Sequence, residues 1–160
     1  MLNRRHTFAA LLLITEAAHS QSAAPPFDPS LPGKVADAAI QIMERVSGTK
    51  LDYSAESLHN VDRFILSIRG DGKDGAKYER LLNVLGFYVG EVMARGYDLK
   101  WDKPTDVEAQ HGAPAYSLRH SSGRLVNPIG KVFKLFQNGE EDRTHHLYVS
   151  LADLLTRPLR

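Results

Sequence analysis

Between Leu81 and Met93 the chain reads LLNVLGFYVGEVM, a stretch whose apolar side chains leave almost no polar face on a helix. A helix of that kind must be covered on most of its circumference, which predicts a central, buried helix over about 76–95. Gly86 and Gly90 stand one turn apart inside it, and Gly96 ends it. Each internal glycine costs about 0.8–1 kcal/mol relative to alanine. Close approach by a neighbouring backbone would offset that cost.

The flanking segments supply the cover. Val35, Ala38, Ala39, Ile42, Met43 and Val46 recur at helical spacing between Pro32 and Gly48, predicting an amphipathic helix with those residues inward. Ser54 is the expected N-cap of a second helix, with Leu58, Val61, Phe64, Ile65 and Ile68 on its buried face. GDGKDG (70–75) reads as a turn, because Asp71 and Asp74 lack the spacing of a calcium loop. After the central helix, YDLKWD (97–102) alternates like a half-buried strand. TDVEAQHGAP reads as loop, and AYSLRH and RLVN, separated by SSG, as a hairpin. Asn127 then caps a helix with Pro128 at its first position, Ile129, Val132, Phe133 and Phe136 inward, and Gly139 as its stop. Leu147, Tyr148, Leu151, Leu154 and Leu155 mark a last amphipathic segment, with helix favoured over strand. These elements add up to an α+β fold: three to five helices on a small antiparallel sheet of about three strands, in one domain over 34–156.

The N-terminus speaks to location. Arg4 and Arg5 precede the apolar run FAALLLIT, and Ala18 and Ser20 place small side chains at −3 and −1 of a cleavage point before Gln21. This is the pattern of a secretory signal peptide over 1–20, giving a periplasmic or secreted mature chain. RRHTFA fits the twin-arginine pattern poorly, which favours general secretion. Residues 21–33, rich in Pro, Ser and Ala, read as an extended leader. Cysteine is absent, removing disulfides, thiolate ligands and cysteine nucleophiles. A formal net charge of +1 is too balanced for a nucleic-acid footprint. No apolar run reaches the roughly 18–20 residues of a membrane span.

Candidate chemistry is sparse. Glu91 lies in the most apolar helix, where desolvation would raise its pKa as acid–base catalysis requires. The alternative is an ordinary pair with Arg95 one turn on. Glu141 and His145 share a face if one helix holds both, which makes them candidate metal ligands; the adjacent His145 and His146 diverge by about 100° on a helix. Ser47-Gly-Thr-Lys50 has the spacing of a serine–lysine motif, but Gly48 ends a helix there, where that mechanism needs the serine at a helix start. Arg119, His120, Arg124, Lys131 and Lys134 form a local basic cluster, with Trp101 and Tyr116 as aromatic anchors beside it. No cofactor motif is present.

LDYSAESLHNVDRFI, LGFYVGEVMAR, Trp101 and NPIGKVFKLFQNGEED resemble, in order and spacing, a family of small bacterial α+β domains without an assigned function. The resemblance spans roughly residues 50–150 and carries no catalytic assignment to transfer onto Glu91, Lys131 or Glu140. The chain departs from the family in its His-rich tail and its export signal. The expectation from sequence is an exported, non-enzymatic domain that binds another protein, such as an immunity-type inhibitor acting in the periplasm. The alternative is a small hydrolase or ligand-binding enzyme using Glu91.

Overall fold

The structure, a computed structural model, describes residues 26–157. The expected signal peptide (1–20) and the leader up to residue 25 lie outside them. Helix α1 (Leu31–Ser47) is followed by α2 (Ser57–Ile68), α3 (Gly75–Gly96), strand β1 (Leu99–Asp102), a short α4 (Asp106–Gln110), β2 (Ser117–His120), β3 (Leu125–Val126), α5 (Pro128–Asn138), a 3-10 turn (Glu140–Asp142) and α6 (Thr144–Thr156). The strands form one antiparallel sheet in the order β1-β2-β3. The fold is α+β as expected. Its described helices number six rather than three to five.

Helix α3 is the axis. Leu82, Leu85, Tyr88, Val89, Val92 and Met93 are buried on it, with α1 packed along one side and α5 along the other. The glycine pair shows why α5 can come so close. A Cβ on Gly86 would stand 2.7 Å from the Ile129 Cα, and one on Gly90 would meet the Trp101 ring and lie 2.9 Å from Pro128 Cγ. The first turn of α5 and the Trp101 ring therefore rest on bare α3 backbone, and the dispersion attraction across that close seam offsets the helical cost of glycine.

Helix α1 corrects one expectation. Its buried positions are Pro32, Ala36, Ala39 and Met43, whereas Val46 is 57% exposed. The apolar side is broad enough for two registers, and the small Ala36 and Ala39 let α1 approach α3 more closely than a valine–isoleucine face would. Within the stretch expected as loop, Asp106–Gln110 is helix α4. Thr105 accepts from the Glu108 N–H while Glu108 accepts from the Thr105 N–H, a reciprocal capping box. Asn127 caps α5 as expected, accepting from the Gly130 N–H at 2.7 Å. Gly139, at φ 95°, turns the chain out of α5. Among the described residues no helix is long and apolar enough to cross a membrane.

The seam on α3 generates a test. Gly90→Ala should lower the unfolding free energy by about 1–3 kcal/mol in urea denaturation. Gly33→Ala, in α1 with nothing within 4 Å of the added Cβ, should raise it by about 0.4–1 kcal/mol. Equal effects at the two positions would mean that Gly90 does not carry the packing.

Candidate metal centre

Helix α2 is fixed at its start by local hydrogen bonds. Asp52 Oδ1 accepts from the Ser54 N–H at 3.0 Å and from its hydroxyl at 2.6 Å, and Ser54 Oγ accepts from the Ser57 N–H at 3.2 Å. Between them Tyr53 adopts φ 63°, a left-handed conformation costing a non-glycine residue about 1–2 kcal/mol. Three interactions hold it there. Its N–H donates to Tyr88 Oη at 2.9 Å, its hydroxyl donates to Asp37 at 2.6 Å, and its ring lies 3.4 Å from the Arg95 guanidinium. Burial, with Asp37 adding to it, pushes the Tyr53 phenol pKa up, so it stays a neutral donor.

From that fixed start, Glu56, His59 and Asp62 follow at three-residue intervals, each the neighbour of the next on the helix surface. The series winds from solvent at Glu56 to the interior at Asp62. Asp62 is completely buried. Its Oδ1 accepts from the Thr144 N–H (2.9 Å) and hydroxyl (2.7 Å), and its Oδ2 accepts from the His145 N–H at 3.2 Å. The side chain thus caps α6 from another helix, where negative charge also meets the positive end of the helix dipole. This anchor sets the His145 ring against that of His59, with centroids 3.8 Å apart. Glu56 Oε2 lies 3.9 Å from His59 Nε2. Glu56, His59 and His145 each offer one ligand atom, all within 4.8 Å of one another.

The chemistry of the set is specific. Two imidazoles and a carboxylate suit zinc-class transition ions, whereas calcium and magnesium prefer all-oxygen shells. Burial, and then the neighbouring His59, push the His145 pKa below its usual 6.5, so the ring favours the neutral form that a metal requires. The charges of Glu56 and Asp62 oppose that shift, and His146 adds to it. Glu56 and His59 line an open cleft of about 620 Å³, together with Lys50, Asp52, Ser54, Ser57, Asn60, Arg63 and Arg143.

No protein-family model, curated protein or solved structure matches the chain. The site therefore rests on its own geometry.

The expected site residues are distributed as follows. Glu91 accepts from Trp101 Nε1 at 2.8 Å and lies 3.6 Å from Arg95, so it ties the sheet to α3. Arg119 is clamped between Asp102 (2.6 Å) and Glu108 (2.8 Å). Its hydrogen bonds hold the Glu108 carboxyl down at about 2. Lys131 pairs with Asp142 at 2.6 Å, and Arg124 donates to the Arg157 carbonyl at 2.9 Å. Tyr116 packs between Phe27, tilted at 5.0 Å, and Phe87, edge-on at 5.5 Å. Lys134 is exposed on α5. Trp101, Arg119 and His120 meet at a second cleft of about 450 Å³.

Glu141 and His145 do not share a helical face. The 3-10 turn and the extended Arg143 (φ −52°, ψ 136°) separate them, leaving Glu141 exposed and outside the His145 cluster. Sequence reasoning misses Glu56 and His59, because the apolar face of α2 dominates its pattern. The signal present in the sequence is Glu-x-x-His-x-x-Asp.

His145 yields a pH prediction. Its folded pKa lies below its unfolded value, so the stability it contributes is present above pH 6.5 and falls away as pH drops through the folded pKa. Melting temperature should fall from pH 7.5 to 5, and His145→Gln should flatten part of that fall. An unchanged slope in the variant would exclude His145 as the titrating group.

Proposed function

We propose that the mature chain acts outside the cytoplasm as a binding protein for a zinc-class divalent ion, held by Glu56, His59 and His145. One observation carries this reading: three ligand atoms of the right chemistry, from two helices, within 4.8 Å of one another. Structural zinc sites close the coordination sphere with four protein ligands, whereas three ligands leave a position for an outside group. Glu56, with a side chain 85% exposed, lies on the solvent side and His145 on the inner side. Glu56 and His59 line the open cleft, so two of the three ligands are within reach of an ion from solvent. Asp62 holds the His145 backbone beside His59. The two rings stack at 28°, and binding of the ion turns them about their side-chain torsions so that each directs a ring nitrogen at it. Export agrees with this use, since an all-imidazole and carboxylate site needs no reduced thiol.

Isothermal titration of the mature chain with zinc should give one ion per chain. Alanine at His59 or His145 should weaken binding by at least about tenfold, because each removes one of three ligands, whereas Glu141→Gln should change nothing. Free zinc at one hundred times Kd should raise the unfolding free energy by about 2.7 kcal/mol. Binding that survives both alanine variants would refute the assignment.

A second reading, the protein-docking surface, draws support from the cleft where Trp101, Arg119 and His120 meet beside Lys100 and Asp98. Two charges of the wider cluster, Arg119 and Lys131, are already answered inside the molecule. An exported partner retained on immobilised wild-type chain, and lost with Lys100→Glu and His120→Glu while zinc binding persists, would place docking at this cleft. Retention unaffected by the pair would remove it.

A further inference from the structure

The cleft beside the ligand cluster has a definite charge pattern. Its lining holds three cations, Lys50, Arg63 and Arg143, and two carboxylates, Asp52 and Glu56. Asp52 is already committed to the Ser54 N–H and hydroxyl, which keep its carboxyl pKa low. Glu56 is the metal ligand in the reading above. The lining therefore carries one net positive charge, and a divalent ion raises it to three. Neither arginine spends its whole donor set. Arg63 gives Nη2 to Asn60 within its own helix. Arg143 gives Nε and Nη2 to one oxygen of the exposed Glu140, at 3.1 and 2.7 Å. Planar guanidinium groups with free edges match the oxygens of an oxyanion. The cleft also opens onto the first turn of α2, the positive end of that helix.

From this we infer that the open coordination position of the Glu56–His59–His145 site is completed by a phosphate group, held at its other oxygens by Arg63 and Arg143. The inference rests on the metal reading and names the ligand class that reading leaves open. A phosphate fits better than a carboxylate because it carries about −1.5 to −2 charges against one and has oxygens enough for both the ion and the arginines. The cavity is large for inorganic phosphate alone. At about 620 Å³ it falls in the range of small-molecule sites, about 300–1,000 Å³, so the cleft has room for a phosphate that carries a small organic group as well as for the free ion.

Cobalt substitution separates the two claims. The mature chain is loaded with Co2+, whose visible absorption reports the coordination shell, and titrated with inorganic phosphate and, in parallel, acetate. The expected result is a saturable phosphate-induced change in the cobalt bands with a much weaker acetate effect. The Arg63→Gln, Arg143→Gln double variant should keep its cobalt spectrum and lose phosphate affinity by at least about tenfold. A normal cobalt spectrum that phosphate leaves unchanged, or equal phosphate affinity in the double variant, would overturn the phosphate inference and leave the metal site standing. Absence of imidazole-bound cobalt in the wild type would overturn both.

Discussion

A carboxylate sealed from water is costly unless donors surround it, and Asp62 meets that requirement with three from a single place, the first turn of α6. Those donors include amides of the kind that every helix start leaves without an internal partner. The buried acid and the bare helix end thus each supply what the other lacks. Because Asp62 sits one turn beyond His59 on α2, satisfying it also fixes the height and rotation of α6, and with them the meeting of His145 with His59. The candidate ligands are neighbours because of a hydrogen-bonding requirement that is independent of any ion.

The rest of the molecule provides the frame in which that contact can hold. Helix α3 is covered by α1 and α5 through close approaches at small residues: Ala36 and Ala39 on one side, Gly86 and Gly90 on the other. Trp101 lies over Gly90 and donates to Glu91. Arg95 continues from Glu91 to the face of Tyr53, and Tyr53 reaches Asp37 on α1. Sheet, α3, α1 and the entry to α2 are thereby joined by one chain of polar contacts around the apolar core. The strained Tyr53 backbone belongs to this frame. It turns the chain into α2 at the point from which Glu56 and His59 project.

Legibility in the sequence follows the physics of each feature. Periodicity reveals α2, α3 and α5, because burial of an apolar face leaves a trace at every third or fourth residue; for α6 it favours helix over strand without deciding between them. It places α1 correctly but turns it toward Val46, since composition alone cannot say that Ala36 gains more from close approach than Val46 gains from burial. Helix α4 escapes it although Thr105 and Glu108 carry a capping-box spacing, because so short a helix has no apolar period to announce it. At the site, the sequence singles out His145 with the wrong partner. The spacing of Glu141 implies a shared face only if the helix runs unbroken, and the turn before Thr144 breaks it. The observed partners of His145 lie more than eighty residues earlier in the chain, and only tertiary packing brings Asp62 and His59 to it. Glu91, attractive as an isolated acid in an apolar helix, is answered by Trp101 and Arg95.

The most direct test of the metal centre is nitrogen-15 NMR of the histidine rings in the mature chain, with and without one equivalent of zinc. The described residues contain His59, His111, His120, His145 and His146. With the ion held as proposed, one ring nitrogen each of His59 and His145 moves to the metal-bound range while the other three rings keep their shifts. Zinc-induced shifts centred on His111, His120 or His146, with His59 and His145 unmoved, would contradict it.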